Sequence, residues 1–358
     1  HLARIGLKDY HHGMDFSRPE NARRINRLKV LSALRRKPAS KAELAAMLQI
    51  NKVSIGEICE SLRSEGLIEE SGKEMRSQGR PGVLFSINSK AGRVFSIIIS
   101  EKAASVAVSD TLGRILRFER FPKAPSFSED LRRVMAKLAG NARIYGIAIV
   151  SDEDIQLDID APSIRIPFSV AEASAEMARS GSLGSFLFIS WGYSITASFS
   201  FQGTPVFLPE FGHIRASREG RCGCGGKGCL DAVASGRALL ARTGHPSLKS
   251  LMQDKAALRD ALQPMAAGIA QGVQALSAES VMITGAMSQM DDALYAYLQN
   301  LVSSLLPSRR SGMVIYRGAA GENGAAEGAA ILALDTFFYD SALLAKLEAI
   351  ESLSSPAL

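Results

Sequence analysis

The densest chemistry in this sequence lies between residues 210 and 231. Glu210-Phe-Gly-His213 is followed by Cys222-Gly-Cys224-Gly-Gly-Lys-Gly-Cys229 and then Leu230-Asp231, so three of the four cysteines fall within eight residues. Thiolates and imidazole are the ligands zinc prefers, and four of them close the tetrahedral shell of a structural site. The interleaved glycines let the backbone turn tightly enough for the sulfurs to converge. The pattern therefore predicts a zinc site of His213, Cys222, Cys224 and Cys229. The blander alternatives are a disulfide with a spare thiol, or unrelated core cysteines. An odd cluster makes a poor disulfide framework, and no secretory signal accompanies it. Sparse cysteine points instead to a reducing cytoplasm.

The elements that must position this motif belong to a chain of 358 residues, long enough for two or three domains. An apolar fraction of 46% and a charged fraction of 22% describe an ordinary folded protein. No apolar run reaches membrane-spanning length, so a membrane partner is not expected. The start at His1 rather than methionine is expected of a processed or truncated chain or an expression remnant. Charge is placed unevenly. Residues 1–90 hold 17 Lys and Arg against 10 Asp and Glu, while the remainder holds 25 against 26. A basic module on a neutral body is the electrostatic footprint of nucleic-acid binding.

Within that module, residues 21–36 place Ile25, Leu28, Leu31 and Leu34 on one helical face. Ser40-Lys-Ala-Glu43 reads as a capping box opening a second helix. A tight turn at Gln49-Ile50 leads to Asn51, a good N-cap, and a third helix with the buried stripe Ile55, Ile58, Cys59 and Leu62. Strand-like pieces at 67–70 and 83–87 flank a polar loop at 71–82. Together these predict a winged helix-turn-helix, with a small dimerisation module as the alternative. The third helix would enter the major groove, making Asn51, Lys52, Val53, Ser54, Gly56 and Glu57 the base-facing candidates. Arg80, held by Gly79, Pro81 and Gly82, would reach a narrow minor groove from the wing.

From about residue 94 the pattern is α/β. Strands are expected at 94–99, 105–108, 144–150, 184–190, 195–201, 281–284 and 313–316. Helices are expected at 128–139, 230–243, 249–262, 265–278, 291–306 and 327–338. The Glu-x-Gly-His and Cys-x-Cys-Gly-x-x-Gly-Cys-Leu-Asp motifs resemble the signature of the ROK family of sugar kinases and sugar-responsive repressors. Gly79-Arg80-Pro81-Gly82 resembles a minor-groove hook of its repressors. The resemblance implies an α/β fold: a two-lobed, ribonuclease-H-like body of the actin and hexokinase type, preceded by a winged helix-turn-helix. Expected bounds are 1–20 for an extension, 21–90 for the DNA-binding domain and 91–358 for the effector-binding and oligomerisation body.

The same resemblance implies that Glu210, His213 and Asp231 bind sugar hydroxyls. Structural alternatives exist: Glu210 could hold a backbone N–H, and Asp231 could cap a helix. It also implies missing parts. The family's phosphate loop is replaced by Ser100-Glu101-Lys102-Ala103-Ala104-Ser105. Phe168-Ser169 stands where a kinase has Asn-Asp, Ser151-Asp152 stands where a Pro-Gly loop is expected, and Ser190-Trp191-Gly192-Tyr193-Ser194 stands in the second Gly-rich loop. Ile283-Thr-Gly285-Ala-Met-Ser288 keeps one glycine of an adenine-side motif. Trp191 and Tyr193 would fill triphosphate space. A serine cannot act alone as general base, and phosphoryl transfer depends on the lost loops. The expectation is a cytoplasmic zinc-holding repressor that binds double-stranded operator DNA as a homodimer, or a tetramer, under a sugar-type effector. The alternatives are an active ATP-dependent hexose kinase and an effector-less DNA-binding protein.

Overall fold

The computed structural model describes residues 19–73, 82–124, 127–152, 161–181, 184–201, 203–310, 312–341 and 343–344. The expected extension at 1–20 lies almost entirely outside these residues, as does Arg80 with its neighbours Gly79 and Pro81.

The head begins with α1 (Pro19–Arg36), β1 (Ala39–Ser40), α2 (Lys41–Leu48) and α3 (Lys52–Ser64), and ends with β2 (Ile68–Lys73) and β3 (Val83–Ile87). Local signals in the sequence account for each boundary. The Ser40 hydroxyl accepts the Glu43 N–H while the Glu43 carboxylate accepts the Ser40 N–H, completing the expected capping box. Gln49 adopts a left-handed conformation (φ 55°) that ends α2, and the Asn51 side chain accepts the Ser54 N–H at 2.8 Å to start α3. Ile55, Ile58, Cys59 and Leu62 are all buried. The three strands pair antiparallel in the order β1-β3-β2.

The body has two five-stranded sheets. The first lobe contains β4 (Arg93–Ile99), β5 (Ala103–Ser109), β6 (Ile115–Pro122), α4 (Phe127–Ala139), β7 (Ile144–Val150), β8 (Ser163–Ile166) and α5 (Phe168–Ser180). Its sheet runs β6-β5-β4-β7-β8. The second lobe contains β9 (Phe186–Trp191), β10 (Ile195–Phe201), β11 (Thr204–Leu208), α6 (Leu230–Ala234), α7 (Gly236–Thr243), α8 (Leu248–Leu251), α9 (Lys255–Leu276), β12 (Ser280–Thr284), α10 (Asp292–Leu305), β13 (Val314–Arg317) and α11 (Gly324–Phe337). Its sheet runs β11-β10-β9-β12-β13.

Alternation along the strands assigns the layers. Phe95, Ile97 and Ile99 pack against α4, whereas Val94 joins α11 on the opposite face. In the second sheet, Leu187, Ile189 and Trp191 face α9 while Phe186 and Phe188 face α5. α5 and α11 thus lie between the sheets. They approach closely because Gly328 has no side chain: a Cβ there would sit 1.7 Å from the Ala171 carbonyl oxygen.

Two expected helical stretches required revision, and three edge strands were not anticipated. The helices expected at 249–262 and 265–278 are replaced by α8 and a single α9 that runs through Pro264. Burial of Leu258, Leu262, Met265 and Ile269 on both sides of the proline outweighs its missing hydrogen bond. The helix expected at 230–243 breaks at Ser235, whose hydroxyl caps α7 by accepting the Ala238 N–H. The strands β6, β8 and β11 sit at sheet edges and lack the buried apolar pattern that marks their neighbours. No helix among the described residues is long and apolar enough to cross a membrane.

Head and body share one hydrophobic core. Val30, Leu34 and Phe85 of the head cluster with Leu334, Phe338 and Tyr339 at the end of α11. Arg35 of α1 ion-pairs with Asp335, and its guanidinium lies 4.4 Å from the Tyr339 ring centroid. Tyr339 donates its hydroxyl hydrogen to the Thr111 carbonyl at 2.8 Å.

Candidate functional site

The motif that opened the sequence analysis forms an exposed knuckle between β11 and α6. His213 ends a short 3-10 turn, Phe211–His213, and Cys229 sits at the N-cap of α6. Bridges between Arg215 and Cys229, and between Arg221 and Lys227, clamp the intervening chain. Two glycines make the convergence sterically feasible. Gly228 has φ +74°, and a Cβ there would meet the Ser217 carbonyl oxygen at 1.9 Å. At Gly226 a Cβ would press on the Cys229 and Cys224 sulfurs at 3.1 and 3.2 Å.

The ligand atoms of His213, Cys222, Cys224 and Cys229 all lie within 4.8 Å of one another. The Cys224 and Cys229 sulfurs are 3.7 Å apart, and the Cys222 sulfur is 3.5 Å from His213 Nδ1. A tetrahedral ion with Zn–S bonds of about 2.3 Å separates its ligands by about 3.8 Å, so the 3.5 and 3.7 Å spacings fit zinc and the widest would close by about 1 Å. The Gly226 N–H donates to Cys224 Sγ at 3.4 Å. That bond, with the Cys222 and Cys224-facing Cys229 thiols, lowers the Cys224 pKa and favours the thiolate that a metal needs.

The other predicted small-molecule residues are arranged differently. Asp231 is buried, and both its oxygens are engaged by the chain itself. One accepts the Ile195 N–H at 2.8 Å and the other pairs with Arg237. It therefore ties α6 to the start of β10 and to α7. Glu210 is exposed, immediately before the 3-10 turn, and its backbone carbonyl accepts the His213 N–H at 2.9 Å. Ser169, in the first turn of α5, is buried with no partner for its hydroxyl. Asp152 accepts the Phe168 N–H and the Ser194 hydroxyl, each at 3.2 Å, bridging the first lobe to the β9–β10 turn.

The Ser100–Ser105 segment expected to stand in for a phosphate loop opens as a tight hairpin in which the Ser100 N–H and hydroxyl both donate to the Ala103 carbonyl. Trp191 does not fill phosphate space. Its ring is wholly buried in the second-lobe core, and its indole N–H donates to the Ala234 carbonyl at 2.8 Å. Burial of so large an apolar surface favours the core over a polar cleft.

A narrow crevice of about 10 Å³, room for roughly one water molecule, lies where α5 meets the loops after β12 and β13. It is lined by Glu172, Glu176, Thr284, Gly285, Ser288, Gly318 and the Ala320–Gly324 turn. Glu172 accepts the Thr284 hydroxyl at 2.6 Å, and Glu176 accepts the Ala320 N–H at 2.7 Å. Burial pushes the Glu172 pKa up to about 7, with the Asp152 and Glu176 charges adding to the rise. Hydrogen bonds from Thr284 and Ser190 oppose it. Sequence reasoning missed this pair. The available signal was two acids four residues apart on a helix otherwise rich in alanine and serine.

In the head, Lys52, Val53 and Glu57 are exposed on α3, Gly56 is half-buried beside them, and Ser54 is half-buried. Asn51 is exposed but spends its side-chain carbonyl on the helix cap.

Residues 195–336 match the ROK family. A xylose repressor of Bacillus spizizenii is 25% identical over 282 residues, covering 67% of this chain and 73% of the relative. Among solved structures, a ROK family transcriptional regulator, a homologue of the Escherichia coli MLC protein, superposes with a TM-score of 0.71 at 20% identity. It covers 91% of this chain and 98% of the neighbour. A ROK family glucokinase from Streptomyces griseus, in complex with glucose and AMPPNP, gives 0.56 at 18% identity. It covers 67% of this chain and 99% of the neighbour. The regulator therefore matches far more of this chain than the kinase does.

Proposed function

We propose that this chain, whose residues 195–336 match the ROK family, is a sugar-responsive transcriptional repressor that binds operator DNA and does not phosphorylate sugars. The observation that carries the reading is the helix-turn-helix head, with its recognition-helix face open to solvent, built onto the same hydrophobic core as the two-lobed body. The likeness to xylose repressors supports it, and makes xylose the first effector to test. The protein acts in the cytoplasm as a homodimer, matching two half-sites to its two-fold symmetry.

The residues divide the work. Lys52, Val53, Gly56 and Glu57 face base edges, Asn51 and Ser54 set the start of the recognition helix, and Arg80 reaches the minor groove from the wing. His213, Cys222, Cys224 and Cys229 hold zinc, which when bound supplies cross-links that fix the knuckle. Glu210 and His213 offer hydrogen-bonding groups to a sugar. Asp231 joins them only if Arg237 or Ile195 yields its place. Against phosphoryl transfer stand Ser169 at the position of the base, the closed Ser100–Ala103 hairpin and the carboxylates of Glu172 and Glu176. The carboxyl groups lining that crevice offer a nucleotide's phosphates no cation, and its space of about 10 Å³ holds roughly one water molecule.

α11 supplies the coupling. Its first residue, Gly324, lines the cleft, and its last turn is gripped by Arg35 of α1. Fourteen helical residues span about 21 Å. A ligand that changes how α5 and α11 sit between the sheets thereby shifts the head.

The test is fluorescence-anisotropy titration of the full chain on duplexes selected from random DNA, with and without xylose, alongside an ATP-coupled assay over a hexose and pentose panel. Expected are salt-dependent duplex binding that a sugar alters, and no turnover above background. Sugar phosphorylation by the purified chain overturns the non-enzymatic reading. Arg80→Ala is expected to weaken duplex binding and reduce the slope of log affinity against log salt by about 1. Arg35→Ala is expected to bind duplex but to lose most of the sugar's effect.

A further inference from the structure

The first turn of the recognition helix narrows to a small surface. Asn51 is committed to the cap and Ser54 is half-buried. Glu60, also on the solvent face, is held by Lys41 at 2.8 Å and by Arg63 at 2.7 Å, so its charge is already met. Fully exposed beside them are Lys52, Val53 and Glu57, with the half-buried Gly56 on the same face. Val53 is 73% exposed, more than any other large apolar side chain among the described residues. Valine is a mediocre helix former, and this one buries almost nothing, so neither propensity nor packing accounts for it.

Gly56 lies one turn further along the same face, at i+3. A Cβ built there meets no heavy atom within 4 Å, so its missing side chain serves no internal packing. The pair forms an apolar knob beside a flat notch, which lets the helix backbone approach a surface closely. Lys52 and Glu57 flank it with opposite charges, and the surrounding residues 1–90 carry the basic excess of the chain. In the major groove, the base-edge feature that an apolar knob recognises is the 5-methyl group of thymine.

We infer that Val53 contacts a thymine 5-methyl group in each operator half-site and is the residue that makes this protein prefer thymine there. The inference rests on the DNA-binding reading and adds its chemistry at one base pair. Lys52 then faces the adjacent phosphate or guanine, and Gly56 allows the approach.

The experiment uses the full chain and its selected duplex, with each thymine replaced in turn by deoxyuridine, which removes only the methyl group. Wild-type binding is expected to weaken about 3- to 5-fold at one position per half-site, the amount expected from losing one buried methyl contact. Val53→Ala is expected to lose a similar factor on the thymine duplex and to bind thymine and deoxyuridine duplexes equally. An unchanged melting temperature separates this loss from misfolding. Undiminished binding by Val53→Ala, or an undiminished preference for thymine in that variant, overturns the inference while leaving DNA binding intact. If the wild type enriches no sequence and binds no duplex, both readings fall together.

Discussion

The knuckle and the inter-lobe cleft are built from similar materials, polar side chains brought together by glycine-rich turns, yet they are in opposite states. In the knuckle, His213 and the three cysteines have little near their ligand atoms but one another. At the cleft and elsewhere in the body, Glu172, Glu176, Asp152 and Asp231 are each satisfied by the chain's own groups. A polar group can serve outside chemistry only where the fold leaves it unsatisfied. The knuckle therefore gathers four groups that could hold a metal ion, whereas these carboxylates work as internal ties.

Three measurements break or sharpen that contrast. The largest effect belongs to the knuckle. Cys224→Ser is expected to abolish bound zinc by elemental analysis and to lower the melting temperature by roughly 5–10 °C, since structural metal binding contributes directly to folding. Retained metal would show that the four ligands do not act as a set.

Asp231→Ala comes next. Losing the carboxylate strands the buried Ile195 N–H, at a cost of about 1–3 kcal/mol in chemical denaturation. A variant that keeps full stability yet loses sugar response would move Asp231 from tie to ligand.

The third effect is a pH dependence at Glu172. Its folded pKa of about 7 stands above the ordinary 4.5, so between those values the folded chain holds a proton that the unfolded chain has released. Stability therefore falls as pH rises through that window and stays lower above it. Glu172→Gln is expected to flatten this slope, raising the melting temperature by a few degrees at pH 8 and less at pH 5. Identical shifts at both pH values would mean that Glu172 does not titrate in the fold.

Local chemistry made much of this legible in advance. The Ser40–Glu43 capping box, the Asn51 cap and the stripe from Ile55 to Leu62 are interactions within a few residues, and each appears where its pattern placed it. The convergence of His213, Cys222, Cys224 and Cys229 was legible for the same reason, because they lie within seventeen residues of chain. Trp191 misled because its role depends on which face of β9 it occupies, and that face packs against α9, more than sixty residues away in sequence.

From the sequence alone came the elements of the head, the cluster of four candidate metal ligands and the resemblance to a sugar-handling family. Tertiary structure alone decided that Arg237 and Ile195 occupy Asp231, that Glu172 and Glu176 line the cleft, and that α11 joins that cleft to Arg35 of the head. The division has a physical cause. Caps, periodicity and ligand spacing are set by neighbours along the chain, whereas the satisfaction of a buried charge depends on groups that only long-range packing brings within hydrogen-bonding distance.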